Sequence, residues 1–140
     1  MKVKLVNVKN KYLEFISLDT PMSIGVEKKE HLKSLEKNKE YDLDISFYSF
    51  IWFSPKDKSW ATLINNGRVP YSFINTYIEE IIDINLNDEY PYIKFKGSIN
   101  NQPLVFTLCY PKRSEDDEPI KETFYVGEQI IGLFKGTING

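Results

Sequence analysis

The chain has 140 residues, of which 41% are hydrophobic and 27% charged, and its net charge is −2. This composition is typical of one globular domain and excludes an intrinsically disordered chain. The near-neutral charge also excludes the strong basic field of proteins that bind nucleic acid or anionic membranes mainly by electrostatics.

Three further features of the sequence restrict the possible fold classes and cellular compartments. Nine Phe, nine Tyr and two Trp residues favour β-structure, because bulky aromatic side chains pack well on a pleated sheet. The single cysteine, Cys109, excludes an internal disulfide framework. The N-terminal stretch KVKLVNV lacks the apolar core of a signal peptide, and polar residues interrupt every apolar run. These features predict a cytoplasmic protein.

The first third of the chain contains three predicted strands, at residues 2–8, 12–17 and 22–26. The first two alternate apolar and polar residues around an Asn-Lys-rich turn, so they are expected to form a hairpin. The charged segment 27–38 follows. Its two leucines are spaced for one helical face, which predicts a short helix on the surface.

The next strand, residues 40–53, changes its pattern halfway along. It first alternates apolar with acidic residues, and then Tyr48, Phe50 and Trp52 occupy what had been the polar face. A face that turns aromatic is expected either to pass beneath another element or to serve as a binding surface. The pattern predicts that Phe50 is largely buried and that Tyr48 and Trp52 are partly covered.

Residues 71–87 allow two interpretations. Their isoleucines fit one face of a helix, but they also alternate in two registers that a bulge at Glu79–Glu80 would join. The density of β-branched residues favours a bulged strand, and the helix remains the alternative.

The last part of the chain contains the clearest hairpin, formed by residues 92–99 and 104–110 on either side of an Asn-Asn-Gln-Pro turn. The polar, proline-containing segment 111–122 is predicted to be an exposed loop. A long strand closes the chain. Its glycines, Gly132 and Gly136, suit a strand that bends around a barrel or admits a neighbour's large side chain.

Short alternating strands without a linker or repeat predict a single mainly β domain spanning residues 1–140. The predicted architecture is a small antiparallel OB-like barrel of five or six strands, with an added N-terminal hairpin and one short helix.

Three stretches, EKNKEYDLDISF, VPYSFINTYIEEI and VGEQIIGLFKGTI, resemble those of small bacterial single-domain proteins with an OB-like β-barrel. The resemblance spans residues 38–138. It implies a barrel in which glycine-containing turns launch long strands, and it implies no catalytic residues.

The residues that could carry chemistry are few. His31 is the only histidine and lies among charges, without a partner at a metal-ligand spacing. Cys109 lies in a predicted strand, where an inert, half-buried thiol is expected. Asp42 and Asp44 begin a strand, where acids ordinarily face water. Phosphate-binding glycine patterns are absent. The sequence therefore predicts no enzyme, no metal site and no cofactor.

A binding module remains, and the expected partner is another protein, as for immunity proteins and inhibitors that occupy a partner's surface. The alternative is an OB-type protein that stacks single-stranded nucleic acid on aromatic rings beside lysines. The acidic chain disfavours this alternative, because it repels phosphate. The candidate binding residues are Tyr48, Trp52, Trp60, Lys94 and Lys96.

Overall fold

A computed structural model describes residues 1–20, 22–53, 71–118, 120 and 123–139. Within these residues the protein contains ten strands and one 3₁₀ turn, at Glu30–Leu32. The predicted mainly β fold is therefore confirmed. The strands are β1 (Lys2–Val8), β2 (Tyr12–Ser17), β3 (Ser23–Glu27), β4 (Glu40–Asp42), β5 (Ile45–Phe53), β6 (Ser72–Tyr77), β7 (Glu80–Asn85), β8 (Tyr92–Ile99), β9 (Gln102–Cys109) and β10 (Gln129–Ile138).

The strands form one mixed sheet in the order β4-β1-β2-β3-β10-β5-β9-β8-β7. β6 also belongs to the sheet and pairs with β10, which therefore has an additional neighbour. The β3–β10 and β5–β9 pairs are parallel, and the others are antiparallel. Among the described residues, the sheet is not closed into a barrel. Its ten strands exceed the predicted barrel of five or six strands with an added hairpin, and the bridge between Val26 and Gly136 joins the N-terminal strands to the rest.

The segment 71–87 is extended, so the helical alternative is wrong. β6 and β7 are separated only by Ile78 and Glu79. The backbone amides of these two residues donate hydrogen bonds to different neighbouring strands or segments. The Ile78 N–H donates to the carbonyl of Glu128, just before β10, at 2.9 Å. The Glu79 N–H donates to the carbonyl of Lys96 on β8 at 2.8 Å. The chain thus passes from one neighbouring strand to another at this break.

The predicted surface helix at 27–38 is reduced to the 3₁₀ turn. Leu32 is buried there and Leu35 contacts the core, so their spacing reflects burial without a full helix. The chain then turns at Asn38, which has φ of 70°, and its N–H donates to the carbonyl of Leu5. Because a short helix gains little stability by itself, this tertiary pairing decides the conformation.

Four phenylalanines mark the centre of the core, one each from β5, β8, β9 and β10. The Phe106 ring stacks on Phe47 and Phe95, with centroid distances of 5.7 and 5.3 Å, and meets Phe134 edge to face at 5.6 Å. All four side chains are almost fully buried. This cluster joins the strands on both sides of β9 into one core.

The two glycines of β10 lie on its buried face, where neighbours leave no room for a side chain. A Cβ at Gly132 would lie 2.8 Å from the carbonyl oxygen of Ile51. A Cβ at Gly136 would lie 2.6 Å from Cγ2 of Ile24. Of the two interpretations of these glycines, the close approach of Ile24 to Gly136 supports the one in which the strand admits a neighbour's large side chain.

Candidate protein-binding surface

A β-bulge in β5 breaks the alternation of its aromatic residues. Tyr48 lies opposite Lys135 and Ile51 opposite Leu133, so two residues on β5 match one on β10. The Ser49 hydroxyl holds this shape: it accepts a hydrogen bond from the Ile51 N–H at 2.9 Å and donates one to the Leu133 carbonyl at 2.6 Å. Side chains after the bulge therefore point to the sheet face opposite to the one that the alternation before the bulge predicts.

Because of the bulge, the predicted burial of Tyr48, Phe50 and Trp52 is only partly correct. Phe50 is 57% exposed, so the prediction that it is largely buried is wrong. Its ring lies edge to face with that of Tyr48 at 6.4 Å. Tyr48 and Trp52 are half-buried, as predicted. Trp52, however, lies opposite Gly132, packs against the core and meets the ring of Tyr110 edge to face at 4.9 Å.

Aromatic exposure continues across β10 onto β6. In β6, Ser72, Ile74 and Thr76 are buried, so Phe73 projects to the other face and is 57% exposed. Phe73 lies opposite Leu133, which lies opposite Ile51 on β5. These three apolar side chains thus form a row across three neighbouring strands, with Phe50 next to Ile51.

A second row runs beside the first and includes a positive charge. Lys135 of β10 lies opposite Tyr48, and its Nζ sits 4.7 Å from the centroid of the Tyr71 ring, within cation–π range. Burial, followed by the nearby carboxylate of Glu27, raises the pKa of the Tyr48 hydroxyl. The two rows together are named the outer aromatic patch, which comprises Tyr48, Phe50, Ile51, Tyr71, Phe73, Leu133 and Lys135.

The structure brings two of the five predicted site residues to the same row of the sheet. Tyr48 lies opposite Thr107, and Thr107 lies opposite Lys94. Lys96 is exposed on the same face of β8, but its Nζ lies 3.5 Å from a carboxylate oxygen of Glu80. Trp52 points to the other side of the sheet, as described above. Trp60 lies outside the described residues.

Acidic residues of β7 offset the positive charge of these lysines. Asp83 lies opposite Lys94, just as Glu80 lies opposite Lys96. Asp83 also accepts a hydrogen bond from the Tyr92 hydroxyl at 2.5 Å. Because each lysine on β8 faces a carboxylate, this part of the sheet is a poor site for phosphate.

The side chains considered above for catalysis or metal binding do not form a cluster. His31 is exposed, and Asp42 accepts a hydrogen bond from the Met1 amino group at 3.2 Å. Cys109 is half-buried, and burial raises the pKa of its thiol, which lowers the thiolate fraction at neutral pH. In the described part of the chain, no group of three or more His, Cys, Asp or Glu side chains could hold a metal ion. No helix there is long and apolar enough to cross a membrane.

A cavity of about 820 Å³ lies between the β7–β8 turn and the segment after β9. The Lys112 Nζ lies 3.1 Å from a carboxylate oxygen of Glu89, and the Ser114 N–H donates to Asp117 at 2.8 Å. Two pairs of polar groups in the cavity lining are thus bonded to each other. Residues 111–118 form neither helix nor strand.

Comparison of the chain with protein-family models, with curated proteins and with solved structures gave no match. The outer aromatic patch is therefore the feature of the molecule from which a function can be inferred.

Proposed function

We propose that this protein is a non-catalytic module that binds another protein through the outer aromatic patch, in the manner of an immunity protein or inhibitor. The observation that carries the proposal is the exposure of Phe50 and Phe73, each 57%, beside the apolar row of Ile51 and Leu133. Contiguous exposed apolar side chains mark interaction surfaces more often than scattered ones do.

The chemistry of the patch fits a protein partner. Aromatic residues at the centre of an interface dominate binding energy, and burying one phenylalanine contributes about 1.5–3 kcal/mol. Lys135, at the border of the patch, complements a partner carboxylate at the rim. Such a role needs no cofactor and no catalytic group. A lone, half-buried cysteine suits a reducing compartment, which supports a cytoplasmic location.

The test compares two double variants with matched exposure. Phe50→Ser with Phe73→Ser should abolish partner capture from cells of the native host and change the free energy of unfolding by no more than about 0.5 kcal/mol per site. The control, Tyr90→Ser with Tyr125→Ser, removes two rings that are 61% and 56% exposed outside the patch. It should retain capture.

Full capture by the Phe50/Phe73 variant would contradict the proposal. Binding of labelled single-stranded oligonucleotides that weakens steeply with salt would favour the nucleic-acid alternative instead. Fluorescence anisotropy at two salt concentrations measures this directly.

We also propose that β5, β6–β7, β8, β9 and β10 act as a partly open OB-like barrel, with β1–β4 as added strands that include the N-terminal hairpin. Three hydrogen bonds support this: the Ile78 and Glu79 amides donate to opposite neighbours, and the Thr76 hydroxyl donates to the Ser98 carbonyl at 3.0 Å. All three lie where β6 leaves β10 and β7 joins β8.

Amide hydrogen exchange tests the barrel. If the β6–β7 segment bridges β10 and β8 as proposed, the amides of Ile78 and Glu79 should be protected together, to a degree comparable with amides in β9. Rapid exchange of either amide while β9 remains protected would mean that the two halves of the sheet separate here.

A further inference from the structure

Within the described residues, β7 and β4 form the two ends of the sheet, and their edges differ. β4 is three residues long and carries the exposed acids Glu40 and Asp42. β7 has six residues, and its Ile82 and Ile84 are 40% and 45% exposed. Of the strands in the described residues, only β8 pairs with it. An edge of this length with apolar side chains is a template for another strand.

The bulge in β7 gives the strand a palindromic arrangement of faces. Glu80 and Asn85, at its two ends, lie opposite Lys96 and Tyr92, on the outer face of β8. Ile81 and Ile84, one position inward from each end, lie opposite two buried residues of β8. The register shift between Ile81 and Asp83 produces this symmetry, since regular alternation over six residues would place the two ends on different faces.

We propose that β7 pairs antiparallel with β7 of a second copy of this chain, about a two-fold axis between Ile82 and Asp83. Ile81 of one copy then lies opposite Ile84 of the other, and Glu80 lies opposite Asn85. The interface is isologous, as in most dimers, and continues both sheets into one.

Charge disfavours one of the neighbouring registers. An axis through Asp83 would place the two Asp83 carboxylates directly opposite each other, which is destabilising. In the proposed register Asp83 lies opposite Ile82. The Tyr92 hydroxyl, hydrogen-bonded to Asp83 at 2.5 Å, draws that carboxylate toward β8 and away from the free edge. No like charges are directly opposed across the six paired positions.

Light scattering coupled to size exclusion tests the dimer. The wild-type protein should shift from monomer to dimer as its concentration rises. Ile84→Lys should remain monomeric, because it places a charge against the partner's apolar edge. Ile16→Lys, which changes a similarly exposed isoleucine in β2, should dimerise like the wild type. A wild-type protein that stays monomeric at every concentration, or an Ile84→Lys variant that dimerises equally, overturns the proposal.

Disulfide trapping tests the register in the same full-length chain. In a Cys109→Ser background, a mixture of Ile81→Cys and Ile84→Cys proteins should give a cross-linked dimer that contains one of each, because opposed positions are within disulfide reach. Each variant alone should cross-link much less. Equal linkage by Ile84→Cys alone contradicts the axis between Ile82 and Asp83.

Discussion

Phe106→Ala is expected to lower the free energy of unfolding by about 3–5 kcal/mol, the cost typical of removing a fully buried aromatic ring. Phe106 is 0% exposed and contacts the rings of Phe47, Phe95 and Phe134. Its loss leaves a cavity where strands from both sides of β9 meet. Because the surrounding rings are themselves buried, they relax into this space only in part. Urea unfolding followed by fluorescence measures the change.

The matched control for this prediction is Phe73→Ala. The same truncation at a side chain that is 57% exposed should change the free energy of unfolding by only about 0.5 kcal/mol. Equal losses at the two positions would mean that Phe73 belongs to the core, and the outer aromatic patch would then lose its basis.

Gly136→Val is expected to cost about 1–3 kcal/mol through overpacking. A Cβ at this position would lie 2.6 Å from Cγ2 of Ile24 and within 3.2 and 3.3 Å of methyl groups of Val26 and Ile45. All three neighbours are buried and β-branched, so they have few other rotamers. The overpacking would strain the pairing of Gly136 with Val26, through which the N-terminal strands join the sheet.

A double-mutant cycle isolates this contact. Ile24→Ala removes the Cγ2 methyl that a residue larger than glycine would meet, so its cost and that of Gly136→Val should not add. Strict additivity in thermal or urea unfolding would show that crowding against Ile24 is not the cause.

Local alternation predicted most of the strands, because each strand buries one face and exposes the other. The hairpin pairing of β8 with β9 follows from a pattern confined to residues 92–109. The exposure of Phe50 could not be predicted in this way. It depends on a hydrogen bond between Ser49 and Leu133, which are 84 residues apart in the chain. The 3₁₀ turn that replaces the predicted helix likewise depends on pairing with β1.

The candidate surface was predicted only in part. Tyr48 was identified from its strand, but Phe73 and Leu133 were not, although the buried Ser72, Ile74 and Thr76 indicate an outward Phe73 once the segment is taken as a strand. Their assembly into one surface requires that β6 and β5 flank β10. That arrangement of distant strands is not contained in any local pattern.

The most direct test of the outer aromatic patch is site-specific photo-cross-linking in cells of the native host. A photoreactive phenylalanine analogue replaces Phe73, and a second protein carries it at Ile16, an exposed strand position of β2. The proposed function predicts a discrete cross-linked adduct with another protein from position 73 and none from position 16. Equal adducts from both positions, or links from position 73 only to residues of the same chain, would contradict a partner-binding role for this surface.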